Sequence, residues 1–176
     1  MSDSSPVTAI CPGSYDPVTN GHLDIIARAA GIFERVVVGV VRDPQHKKAM
    51  FSVEERVQFL RDALAEHDNV EVEVFAELVV EFAREWGAKT MVKGLRAISD
   101  FEWEFQMHHL NRNLAPEVET MYLMSSPQYS FLSSSGVKEV ASFGGDVRDL
   151  VPEPVAKRFR EMFPRPKGGA PVSPQE

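Results

Sequence analysis

The segment Pro12-Gly13-Ser14-Tyr15-Asp16-Pro17-Val18-Thr19-Asn20-Gly21-His22 packs two prolines, two glycines, the hydroxyls of Ser14 and Thr19 and a histidine into eleven residues. Gly13 permits close approach of a ligand to the backbone, and Gly21 lets the chain enter a helix tightly. Asn20-Gly21 stands where that helix begins, and free N–H groups and the helix dipole favour an anion there. His22, in the first turn, can give an N–H to a phosphate oxygen. Taken alone, the segment also reads as a Pro/Gly turn with an exposed histidine. It is neither a P-loop, since no Gly-Lys-Ser/Thr follows, nor a G-x-G-x-x-G fingerprint.

Further cations and hydroxyls recur along the chain. Lys47 and Lys48 are its only adjacent lysines. Lys93-Gly94-Leu95-Arg96 sets two cations around a glycine, a good arrangement for phosphates, with Gly94 expected in a turn. Glu104 follows, with a surface salt bridge to Arg96 as its plain role. Residues 125–135 hold six serines in eleven positions. Their hydroxyls, followed by a helix start, suit an anion cradle, and Tyr129, Phe131 and Leu132 have the look of buried anchors.

These groups gain meaning from the elements that carry them. Apolar runs at 7–11, 36–41, 70–75, 90–93 and 119–124 read as strands. Helical periodicity appears at 21–33, 52–64, 77–86, 100–113, 133–143 and 153–163. In the first helix the apolar stripe is Leu23, Ile26, Ala27 and Ala30; in the second it is Val53, Val57, Leu60 and Leu64, behind a Ser52/Glu55 capping box. Strands alternating with helices predict an α/β fold: a Rossmann-like five-stranded parallel sheet with helices on both faces. Ligands bind such sheets beyond the carboxyl ends of the strands. Four of the five strand ends carry the phosphate-compatible groups above, so an anionic, nucleotide-like ligand is expected there.

Composition bounds the alternatives. The 176 residues, 43% hydrophobic and 26% charged, suit one globular domain. Residues 1–6 read as a flexible N-terminal arm, 7–163 as the folded domain and 164–176 as a disordered Pro/Gly-rich tail. A net charge of −7 argues against a nucleic-acid partner. No apolar run approaches the roughly 20 residues of a membrane helix, and the N-terminus has no secretory pattern, so no membrane association is expected. Cys11 is the sole cysteine, which fits a reducing, cytoplasmic location and reads as a small core residue. His108 and His109 are adjacent on a helix, diverge, and cannot form an i, i+4 metal pair; no metal-ligand set is visible.

Thr19-Asn20-Gly21-His22 matches the T/HxGH hallmark of the nucleotidylyltransferase superfamily, and Leu132-Ser133-Ser134-Ser135-Gly136-Val137-Lys138 matches its ISSTxxR-like segment. With Lys93–Glu104, the QMHHLNR run after it and GGDVRDLVPEPV near the end, residues 7–163 resemble the phosphopantetheine adenylyltransferase family. The resemblance implies transfer of AMP from ATP to 4'-phosphopantetheine, giving dephospho-coenzyme A and pyrophosphate, with Mg2+ arriving with ATP, in a homohexamer. It implies acceptor binding by Ser14, Lys47, Val79 and Lys93. It implies ATP binding by Ser14, Tyr15, His22, Gly94, Leu95, Arg96, Glu104, Tyr129, Ser130, Phe131, Leu132, Ser133, Ser134 and Ser135. It also implies that catalysis falls to His22, Lys47 and Arg96, with His22 stabilising the transition state. Serine at 14 keeps the hydroxyl of the threonine found in some members, and Tyr15 keeps the ring of the commoner phenylalanine. Lys93 lacks the fork of the commoner arginine, and Tyr129 is a smaller wall than tryptophan. The rival readings are a sibling enzyme using another phosphorylated acceptor, such as nicotinamide mononucleotide or glycerol phosphate, and a non-catalytic nucleotide sensor.

Overall fold

A computed structural model describes residues 6–44 and 48–164, with Ile98 and Ser99 by backbone alone. Residues 1–5 of the arm, residues 165–176 of the tail and Lys47 lie outside the described residues. The strands are β1 (Thr8–Gly13), β2 (Arg35–Val41), β3 (Val70–Phe75), β4 (Thr90–Leu95) and β5 (Glu119–Met124). The helices are α1 (Asn20–Ala30), α2 (Val53–Ala63), α3 (Val79–Glu85), α4 (Ile98–Leu114), α5 (Ser134–Ser142) and α6 (Glu153–Met162). A short 3-10 turn at Pro127–Tyr129, absent from the sequence reading, precedes α5.

All strands are parallel, in the order β3-β2-β1-β4-β5. Successive residues of a strand point to opposite faces, and the core divides accordingly. Ala9, Cys11, Val36, Val38 and Val40 pack with Ile26, Leu60, Val137, Val155 and Phe159 on one face. Ile10, Val37 and Met91 pack with Phe75, Val80, Phe82 and Ala83 on the other. The β-branched run of β2 is thus buried on both sides, as a central parallel strand requires. Gly39 lies where a Cβ would come within 2.5 Å of the Phe82 ring, so the sheet and α3 meet there only around a glycine.

Some elements depart from the sequence reading. Residues buried in α1 are Ile25, Ile26 and Ala29, while Leu23 and Ala30 are only partly covered. The helix starts at Asn20, and its face is turned toward the sheet by the cap described below. Gly94 lies inside β4 and not in a turn; it passes the α1 side chain Ile25, whose Cγ1 would stand 3.0 Å from a Cβ at that position. Among the described residues, no helix is long and apolar enough to cross a membrane.

Candidate active site

β1 and β4 occupy the switch point of the sheet, where the winding direction reverses. β1 stays in register with β2 as far as Gly13, and β4 with β5 as far as Leu95. Between β1 and β4, among the described residues, the register holds only at Ala9–Thr90 and Ile10–Met91. Beyond that the two strands part, and a crevice opens at their carboxyl ends. This is the place where the topology of an open α/β sheet provides a ligand site. The cavity measures about 610 Å³, within the roughly 300–1,000 Å³ typical of small-molecule sites.

Three connections wall it. Ser14, Tyr15, Gly21 and His22 come from the β1–α1 connection and the first turn of α1. Lys93, Gly94, Arg96, Asp100, Trp103 and Glu104 come from β4 and α4, and Ser125, Tyr129, Leu132, Ser133, Ser134 and Ser135 from the segment after β5. α1 fastens the third wall: Asp24 accepts a hydrogen bond from Ser126 Oγ at 2.8 Å, and Arg28 Nη1 donates to the Met124 carbonyl at 2.8 Å.

His22 is built into the cap of α1. Thr19 is the N-cap and accepts from the His22 backbone N–H, while the Thr19 backbone N–H donates to His22 Nδ1 at 3.0 Å. The imidazole takes the place that Glu or Gln fills in an ordinary capping box. Because Nδ1 accepts a backbone N–H, its lone pair is in use. The proton of the neutral ring therefore sits on Nε2, which makes His22 a neutral donor. Burial first, and then the charge of Arg96, push the imidazole from 6.5 down to about 4. The ring is steadied by an edge contact with Tyr15, centroids 5.2 Å apart. Tyr15 itself has a φ of 48° and donates its hydroxyl to the Cys11 carbonyl at 2.8 Å. A left-handed backbone at a bulky residue costs energy and persists where its surroundings enforce it. Here the buried hydroxyl supplies that hold.

Both described cations of the crevice carry carboxylate partners. Lys93 Nζ lies 3.0 and 2.9 Å from the two oxygens of Glu104. Arg96 meets Asp100 in a fork, Nε–Oδ2 2.9 Å and Nη2–Oδ1 3.1 Å, and donates Nη1 to the Leu132 carbonyl at 2.7 Å. The expected Glu104–Arg96 pair is therefore replaced by two others. Asp100 stands one helical turn beyond Arg96, the spacing at which such pairs form, and Glu104 is left facing β4. Arg96 ties α4 to the serine-rich segment and keeps part of its fork for a further acceptor.

In that segment, Ser133 caps α5 by accepting from the Gly136 N–H at 3.0 Å, and Ser134 Oγ donates to the Pro17 carbonyl at 2.8 Å. Phe131 is 73% exposed and lies outside the cavity, as does Ser130, whose hydroxyl turns to the Pro127 carbonyl. The expectation of three buried anchors holds for Leu132 and in part for Tyr129. Leu95 is buried in the sheet, and Val79 opens α3 against the other core; neither lines the cavity. Cys11 lines its floor, with burial pushing its thiol up to about 12.

Sequence reasoning gave no individual role to Asp100 or Trp103, nor to the supporting residues Asp16 and Arg56, and it met Ser125 and Lys138 only as members of the serine-rich segment and its hallmark motif. Arg56 had a visible signal. It falls on the apolar stripe of α2, three residues after Val53 and four before Leu60, where a charge must be buried for a reason.

The chain matches the cytidylyltransferase-like family over residues 10–140. It is 52% identical over 165 residues to the phosphopantetheine adenylyltransferase of Heliobacterium modesticaldum, covering 93% of this chain and 98% of that protein. It is 55% identical over 144 residues to that of Alkaliphilus metalliredigens, covering 82% and 91%. Identity to that of Rubrobacter xylanophilus is 52% over 160 residues, covering 91% and 97%. A parallel sheet parted at its switch point, a histidine built into a helix cap and near-complete coverage by these relatives have one reading: the chain belongs to the phosphopantetheine adenylyltransferase family of nucleotidyltransferases.

Proposed function

We propose that the protein transfers the adenylyl group of ATP to 4'-phosphopantetheine, giving dephospho-coenzyme A and pyrophosphate in coenzyme A biosynthesis. The observation that carries this reading is the crevice itself, which brings His22, Lys93, Arg96, Ser125, Tyr129 and residues 132–135 into one cavity. The acceptor's phosphate is its own nucleophile. Its second pKa near 6 leaves it largely dianionic at pH 7, so no protein base is required. A phosphate oxygen bonds to the α-phosphorus as the bond to the bridging oxygen breaks, and pyrophosphate departs with the electron pair.

Two polyanions must meet, so positioning and electrostatic stabilisation are the protein's contribution. His22 Nε2–H serves the α-phosphate oxygens. Lys93, with Lys47, holds the incoming phosphate. Arg96 and the start of α5 hold the β- and γ-phosphates. Among the described residues no group of three or more His, Cys, Asp or Glu side chains gathers to hold a metal. In this reading Mg2+ would arrive on the phosphates of ATP and would supply neutralisation of the charge on the leaving pyrophosphate. The decisive assay follows pyrophosphate release from ATP and Mg2+ with 4'-phosphopantetheine. Release only with nicotinamide mononucleotide or glycerol phosphate would move the protein to a sibling activity. ATP binding without release for any acceptor would make it a sensor.

Assembly into a homohexamer in the cytoplasm belongs to the same proposal. α4 has Phe101, Phe105 and His109 in successive ring contact along one side, tilted and then edge-on, and Trp103, Leu110 and Leu114 along another. All five apolar members are at least half exposed. An apolar surface of this extent on a single helix calls for a cover, and copies of the same chain are the cover that the sequence resemblance implies. We expect light scattering to give the mass of six chains for the wild type. Phe101→Glu with Phe105→Glu should give smaller species; an unchanged mass would exclude this face from the interface.

A further inference from the structure

Lys138 is the basic residue of the serine-rich motif, yet it does not line the cavity. Its side chain is 18% exposed, and the ammonium bonds Asp16 Oδ2 at 2.7 Å. The Asp16 carboxylate, 6% exposed, also accepts the backbone N–H groups of Met50, at 3.0 Å to each oxygen, and Phe51, at 2.9 Å. One turn earlier on the same face of α5, Ser134 Oγ bonds the Pro17 carbonyl. Thus α5 grips residues 16 and 17 at two points spaced i, i+4, and Asp16 passes the connection on to the chain entering α2.

We propose that Asp16 and Lys138 are a positioning pair, which holds the β1–α1 connection bearing Ser14 and His22 in fixed relation to the serine-rich segment that starts α5. The inference rests on the adenylyl-transfer reading and deepens it. Each wall alone can hold its part of ATP in the ground state. His22 at the α-phosphate and the α5 start at the β- and γ-phosphates must act on one phosphate chain together in the transition state. A displacement of about 1 Å between such groups can cost 10²-fold in rate. Burial raises the Asp16 carboxyl, but Lys138 and the Phe51 and Met50 N–H groups outweigh it and hold the group below its ordinary 3.8. The charged state that the latch needs is therefore the stable one. Arg56 and Asp16 also lie within each other's field.

The test compares Lys138→Met and Lys138→Arg with the wild type, using ATP titration calorimetry and pyrophosphate release per folded molecule. We expect Lys138→Met to lower kcat about tenfold or more while the Kd for ATP changes less than threefold, and Lys138→Arg to restore most of kcat. A Kd for ATP raised tenfold or more would make Lys138 a phosphate ligand and overturn the proposal. So would a lowered melting temperature with kcat unchanged, which marks a structural role alone. Should Lys138→Met fail to fold, Asp16→Asn with Lys138→Met leaves no unpaired buried charge and takes the same two readings. A wild type that releases no pyrophosphate contradicts the underlying function; an active wild type with any of the other outcomes contradicts only the pair.

Discussion

His22→Ala should lower kcat about 10²–10³-fold, the usual loss when one preorganised donor is removed from a transition state, and leave ATP affinity within about threefold. The split follows from where the charge changes. In the proposed mechanism ATP is held mainly through its β- and γ-phosphates, whereas the α-phosphate oxygens gain their demand for a donor only as the in-line bond forms. His22→Asn, which keeps an N–H donor on a shorter arm, should lose less. Because His22 is held at about 4 by burial and by Arg96, it stays neutral from pH 5 to 8. The acid limb of kcat/KM should then lie near 6, the second ionisation of the free acceptor phosphate, and persist in His22→Asn. The same depression has a stability consequence. Unfolded chains take up a proton on this histidine below about 6.5, folded ones only below about 4, so stability must fall as pH drops through that window. Urea midpoints at pH 7 and pH 5 should converge in His22→Asn relative to the wild type. A wild-type turnover rate in His22→Ala would remove His22 from the mechanism.

Sequence periodicity displayed the alternating order of strands and helices because each strand is short, apolar and bounded by turn residues. It displayed the strand ends too, since a parallel sheet forces ligand chemistry to one edge. The partners of the cations were less visible. Lys93 and Glu104 sit on different elements, strand and helix, and no single period relates them; only the fold decides that Glu104 faces β4 and leaves Arg96 to Asp100. The stripe of α1 was misplaced because Leu23 and Ala30 are as apolar as Ile25 and Ala29, and the cap at Thr19 sets which face turns inward. Phe131 shows the limit of reading burial from hydrophobicity, since an aromatic ring beside a serine run can stand in solvent. The left-handed backbone at Tyr15 gave no signal, for a tyrosine is an unusual residue to find there.

Arg56→Met should destabilise the protein by at least about 3 kcal/mol, seen as a lowered urea midpoint, and should depress kcat/KM in the molecules that remain folded. Arg56 is 1% exposed. Its Nη1 donates to the Ser14 and Val41 carbonyls, each at 2.8 Å, and its Nη2 to the Arg42 carbonyl at 2.7 Å. One guanidinium thus joins the ends of β1 and β2 where the walls of the crevice begin. Two effects compete. Burial disfavours the charge, which lies below its ordinary pKa even with Asp16, Asp43 and Glu54 pulling it back. Nε has no hydrogen-bond partner among the described residues, so the desolvation is not fully offset. On that side alone, methionine would be an improvement. The other side is larger. Removing the donor breaks three hydrogen bonds from a charged group to part-buried carbonyls, each worth about 1.5–3 kcal/mol. Three at the low end already exceed what relief of the charge returns locally, because the cavity is shaped for a flat, forked donor. Arg56→Lys, with one compact ammonium, can serve only part of that set and should fall between. An Arg56→Met protein within 1 kcal/mol of wild type would mean that water or backbone movement satisfies those carbonyls. The crevice would then owe its shape to the parted strands alone.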